Sequence, residues 1–387
     1  MPTHLKKAVL RQHDKNMERH ATWLEIFFDL VFAVIVTQLS NRLSAHMNLD
    51  GIAGCAFLFL PLMWTWASYT VFAARFDNND PLHWLLTLVI MFAAIIMAVR
   101  IPDALENGST GFTAGFLTGQ TVLILLYLHV EADRQTVSQI SRFYLAGFGF
   151  ATLVWLISLF MSPPFRYFSW AAGMSIYLII PWIGRQKILS EAPLDPDYIP
   201  ERFGSFTIII LGQMIASVVF GLENTDWNFF SALSGLFAFI LATAVFAQYY
   251  RFNRIADYTC TLGSGQPYIY THIPLIFSLI MMGTCVEAFI KNPAKVHMPS
   301  AMILFAATLI WLLSFTLLQY ISIRPFRIRA LISFSGIIAL LLAFIIHAFP
   351  AFIILGFLDL IFFALFALQY RAGKHHMSVH RHHKKIN

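Results

Sequence analysis

Twelve apolar runs, each close to the length of a membrane-crossing helix, limit what this chain can fold into. They cover residues 22–42, 52–74, 82–99, 111–131, 143–161 and 167–186, then 201–222, 229–250, 269–290, 299–320, 328–348 and 351–371. About 20 helical residues cross the hydrocarbon core. A lipid-exposed segment must satisfy its own backbone polar groups, so helices are expected throughout. Only 12% of the residues are charged and 58% are hydrophobic, against about 25% charged in soluble domains. The expected fold class is all-α, a polytopic membrane protein of about twelve transmembrane helices.

The positions of Lys and Arg orient this layout. With the N-terminus inside, only Arg42, Arg100, Arg166, Lys291 and Lys295 of the 26 basic residues fall in outer loops. That excess follows the positive-inside rule and predicts that both termini are cytoplasmic. The net charge of +6 is therefore a topology signal, and no nucleic-acid partner is expected. Residues 1–20 are polar and basic, so no cleavable leader is expected there. Cys55, Cys260 and Cys285 are isolated, which predicts no disulfide framework, no metal site and no cofactor. No nucleophile elbow or phosphate-binding glycine loop is present, and no enzymatic role is expected.

The polar connector divides the chain. The expected organisation is a basic segment (1–20), a six-helix half (21–186), a cytoplasmic connector (187–200), a second six-helix half (201–371) and a His-rich basic tail (372–387). Several features recur across the connector. Each second helix ends in Tyr-x-x-Phe followed by Arg and Asp: Tyr69, Phe72, Arg75 and Asp77 against Tyr249, Phe252, Arg254 and Asp257. Each third helix begins near a histidine, His83 or His272. Six is even, so the halves are expected to form a parallel repeat. The competing explanation is that Tyr, Arg and His favour every cytoplasmic helix end.

The chemistry candidates are polar groups placed where polarity is costly. Glu25 and Asp29 are four residues apart, so they share one helix face, and a carboxylate deep in a span costs about 2.5–3.5 kcal/mol on insertion scales. Glu25, Asp29, His83, Glu201, His272 and Asp359 are candidate proton- or cation-binding residues, and Gln213 is the polar candidate of the seventh helix. The alternative is interhelical hydrogen bonding without transport. Gly204, Gly212 and Gly221 offer small surfaces for helix packing, Arg75 and Arg254 are cytoplasmic anchors, and the tail is a solvated segment near anionic lipid.

The stretch RHATWLEIFFDLVFAVIVTQL resembles the opening motif of the bacterial low temperature requirement A (LtrA) family, and ERFGSFTIIILGQMI is similar to that family's second motif. His20, Glu25, Phe28, Asp29 and Phe32 match the first; Glu201, Arg202, Phe203, Gly204 and Gly212 match the second. The resemblance implies a multi-pass bacterial inner-membrane protein associated with growth in the cold, without a known substrate. Gln213 stands where that family usually has Glu, which implies that proton coupling rests on helix one and Asp359. FFDLVFAVIVTQL also resembles the first-helix signature of six-helix-repeat potassium channels. Phe28 and Leu30 depart from that signature, which has Ser and Gly there.

The expected function is secondary transport of a small solute or ion by intramembrane carboxylates. The alternatives are a potassium or proton channel, and a structural or adaptor protein that transports nothing. The expected partners are the lipid bilayer and an unidentified solute or ion, with the oligomeric state open.

Overall fold

The computed structural model describes residues 9–10, 21–77, 80–130, 135–186, 194–223, 225, 227–256, 265–323, 336–338 and 348–383. The architecture is helical: α1 (Trp23–Ala45), α2 (Leu49–Arg75), α3 (Pro81–Arg100), α4 (Ser109–Leu128), α5 (Gln135–Ser158), α6 (Phe165–Gly184), α7 (Tyr198–Glu223), α8 (Phe229–Ile255), α9 (Gln266–Lys291), α10 (Met298–Ser322) and α11 (Ala351–His383). Among the described residues, these 11 helices are long and apolar enough to cross a membrane. The run at 328–348 falls almost wholly outside the described residues. A two-residue strand pair, β1 (Val9–Leu10) with β2 (Phe76–Asp77), is the exception to the helical pattern.

Local chemistry sets several helix starts. Asp80 caps α3 by accepting from the Leu82 amide at 3.5 Å, with Pro81 in the first turn, where a missing N–H costs nothing. Asn228 caps α8 by accepting from the Ser231 amide at 2.9 Å. Pro61, Pro181 and Pro274 lie inside α2, α6 and α9. Membrane helices tolerate them because neighbouring groups re-satisfy the freed carbonyls.

The chain divides into two compact units. The first comprises Met1–Arg42, Asp50–Phe206 and Tyr258–Tyr270; the second comprises Leu43–Leu49, Thr207–Asp257 and Thr271–Asn387. In the first, α3 packs on α4, α4 on α5 and α5 on α6. Its interior is aromatic: Trp155 stacks on Trp170 with centroids 5.2 Å apart, and Phe116 lies 4.1 Å from Trp155. In the second, α8 packs along α11, and Trp311 stacks on Phe315 at 5.6 Å.

One end of the first unit gathers the three arginines that the charge pattern assigns to outer loops. Arg42 donates to the carbonyls of Ile101 and Pro102 at 3.1 and 2.5 Å. Arg166 donates to Ser109 and Thr110 at 2.5 and 3.0 Å, and Arg100 pairs with Asp103 at 3.6 Å. Helix ends that alternate up and down bring these residues together. The outward faces are apolar, with Trp23 86% exposed and Ile26, Phe27, Leu30 and Val34 also exposed along α1. Such a continuous apolar surface suits lipid.

Candidate functional site

The start of α1 is fixed by a reciprocal cap. The Glu25 amide donates to Thr22 Oγ1 at 3.3 Å, while Glu25 Oε2 accepts from the Thr22 amide at 2.7 Å. This is the capping box expected of Thr-x-x-Glu. The second oxygen of Glu25 accepts from the Tyr198 hydroxyl at 2.5 Å. One carboxylate thus starts a helix and binds α7 to it. Thr22→Ala is expected to lower stability by about 1 kcal/mol, read as earlier unfolding in detergent, with Thr22→Ser restoring the loss.

One turn on, Asp29 sits in a closed ion pair. Arg202 Nη1 donates to Asp29 Oδ2 and Arg202 Nη2 to Asp29 Oδ1, each at 2.8 Å. Both side chains are 0% exposed. Trp66 Nε1 adds a third bond to Oδ1, also at 2.8 Å. The planar guanidinium matches a carboxylate with two parallel bonds, the strongest form of such a pair. Phe206 stacks on Trp66 at 4.0 Å and Phe203 meets it edge-on at 4.8 Å, so aromatic rings hold the donor in place. Tyr198 and Arg202 are four residues apart on α7 and Glu25 and Asp29 four apart on α1. Two helix faces therefore dock through two matched contacts.

Next to this pair, the Phe28 ring lies 4.4 Å from Tyr69. The Tyr69 hydroxyl is 3.0 Å from Thr87 Oγ1 and 3.3 Å from His83 Nε2. Thr87 gives its own proton to the His83 carbonyl at 2.8 Å. Tyr69, Thr87 and His83 thus form one buried hydrogen-bonded group. In the second unit, the Tyr249 hydroxyl lies 2.9 Å from His272 Nε2.

The sequence candidates separate as follows. Glu25, Asp29, Phe28 and Phe32 share the buried face of α1, and Glu201 accepts from the Ala21 amide at 3.4 Å. His272, Gln213 and Asp359 belong to the second unit. Arg75 is buried and donates to Tyr144 at 3.0 Å, so it is built into the interior. Gly221 meets the side chain of Ile290, as packing predicts, whereas a side chain begun at Gly212 would meet nothing within 4 Å among the described residues. His20 and Asp257, and the side chains of Asp77 and the tail beyond Tyr370, lie outside the described residues.

The sequence identifies Arg202 only as a motif residue, and it does not single out Trp66 or Tyr198. The available signal was energetic: a carboxylate that stays ionised within a span needs a cation or hydrogen-bond donors. The first unit also holds an apolar cavity of about 170 Å³ lined by Phe57, Trp155, Trp170 and Met174, among others, and a smaller one of about 20 Å³ beside Trp64, Gln266 and Tyr270. None of the candidate carboxylates or histidines lines either cavity.

The chain is 25% identical over 306 residues to an uncharacterized protein of Rhizobium meliloti (strain 1021), an alignment that covers 73% of each chain. The family model of the bacterial low temperature requirement A protein matches residues 20–367, taking in both halves and all the motif residues above. The chain is a multi-pass membrane protein and belongs to the LtrA family.

Proposed function

We propose that this protein is a secondary transporter of a small solute or ion in the bacterial inner membrane, built from two parallel six-helix repeats with both termini cytoplasmic. The observation that carries the reading is a device that recurs in the two units. A tyrosine of α2 bonds a histidine of α3 (Tyr69 with His83), and a tyrosine of α8 bonds a histidine of α9 (Tyr249 with His272). Three residues on from each tyrosine, a phenylalanine meets an aromatic ring of the next helix but one. Phe72 meets Tyr127 edge-on at 5.0 Å, and Phe252 meets Phe315 edge-on at 5.7 Å. The same contacts in the same order support duplication of one helical module, and repeated halves are a common architecture of secondary transporters.

The ion pair refines the role of helix one. Asp29 has its charge matched by Arg202 and three bonds to its oxygens, so in this arrangement it is a fixed element that joins α1, α2 and α7. The test is reconstitution into liposomes with a proton or potassium gradient, alone and with a panel of small solutes. Flux above protein-free vesicles is the expected result; none under any condition overturns the reading.

A further inference from the structure

Asp359 lies near the middle of the apolar part of α11, Ala351–Tyr370, within the run LGFLDLIFF, and is 4% exposed. Among the described residues neither of its carboxyl oxygens has a hydrogen-bond partner. On α8, the buried Gln248 donates from Nε2 to the Phe362 carbonyl at 3.0 Å. Phe362 is three residues beyond Asp359, so Gln248 docks on the helix face that carries the acid. Its amide oxygen is also without a donor. One turn before Asp359, the Phe237 ring lies about 3.5 Å from where a side chain on Gly356 would begin, which closes that side with apolar atoms. The charged groups of α8 are occupied elsewhere. Arg251 donates to the Tyr370 carbonyl at 3.2 Å and lies 4.4 Å over its ring, and Arg254 lies 5.9 Å from the Tyr250 ring.

We propose that Asp359 is a proton-carrying site, its carboxyl binding and releasing one proton beside Gln248 inside the second unit. An ionised carboxylate without donors or a cation is far more costly to bury than the neutral acid. The neutral acid also brings an O–H donor to a helix face on which, among the described residues, the Gln248 amide oxygen has no donor. A metal cation fits less well, since hard cations take six or more oxygens, and no cluster of three His, Cys, Asp or Glu suited to a metal exists among the described residues. The purpose of this proton, coupling to solute movement, rests on the transport reading; the site itself does not.

The test uses the full chain in liposomes and a lipid-soluble carbodiimide, which reacts with protonated carboxyls in apolar surroundings. The acid proton moves to a carbodiimide nitrogen, the carboxyl oxygen adds to the central carbon, and an acyl shift to nitrogen gives a stable N-acylurea with no leaving group. Mass spectrometry of the α11 peptide reads the adduct. The expected result is labelling of Asp359 near neutral pH that falls as pH rises, persists in Asp359→Glu and is unchanged by sodium or potassium. Absence of the adduct in well-folded protein overturns the proposal. Protection by sodium or potassium also overturns it, in favour of a cation site. Labelling without flux would leave the proton site standing and remove the transport reading; flux without labelling would do the reverse.

Discussion

Arg202→Ala is expected to destabilise the protein by about 3–5 kcal/mol, the cost of leaving one member of a buried ion pair uncompensated. Asp29 would keep Trp66 as a donor but lose both bonds from the guanidinium. Both side chains are 0% exposed, so solvent at the protein surface does not offset the loss. Replacing both charges, as Asp29→Leu with Arg202→Leu, is expected to recover most of the loss, because apolar residues often replace a buried pair at little cost. The measurement is thermal or denaturant unfolding in detergent for the two single variants and the double variant. The expected outcome is strong coupling between the sites, with the double variant losing far less than the sum of the two single variants. Additive losses would mean that the two side chains do not act as a pair.

Gly115→Ala is expected to cost about 1–3 kcal/mol through overpacking, whereas Gly212→Ala is expected to be neutral or to gain up to about 1 kcal/mol of helix propensity. A side chain begun at Gly115 would meet the Ala93 carbonyl oxygen and Met97 Cγ at about 2.8 Å, and the Met97 amide nitrogen at 3.1 Å. Two of those atoms are α3 backbone, so relief requires α3 and α4 to separate. At Gly212 the same atom would meet nothing within 4 Å among the described residues. The contrast isolates packing from hydrophobicity. Lipid is as apolar as the protein interior, so close approach, more than transfer from water, holds membrane helices together. Unfolding midpoints of the two variants in one detergent decide it, and equal losses would contradict the close α3–α4 contact.

Much of the fold was legible because a span advertises itself. The runs at 82–99 and 299–320 became α3 (Pro81–Arg100) and α10 (Met298–Ser322), within two residues at each end. The pair around Pro163–Pro164 also separated into α5 and α6 as expected. The larger errors have one cause. α5 begins at Gln135, well before residue 143, and α8 runs on through Arg251 to Ile255, because a helix continues into polar sequence beyond the hydrocarbon while hydropathy stops at its edge. The site was less legible. Thr22 and Glu25 form a local capping motif that the sequence does display, although the same Glu25 also has the spacing of an intramembrane acid beside Asp29. Asp29 and Arg202 are 173 residues apart. Energetics require a cation for Asp29, yet nothing local to either residue identifies the other.

The most direct test of the account is ion flux in proteoliposomes for three proteins: wild type, Asp359→Asn, and the double variant Asp29→Leu with Arg202→Leu. A pH-sensitive dye inside the vesicles reads proton movement under a gradient and in the presence of candidate solutes. The expected result is proton-linked flux in the wild type, its loss in Asp359→Asn, and its retention in the double variant once folding is verified. Flux that survives in Asp359→Asn but vanishes in the double variant would contradict it, moving the working site from α11 back to the ion pair of α1 and α7.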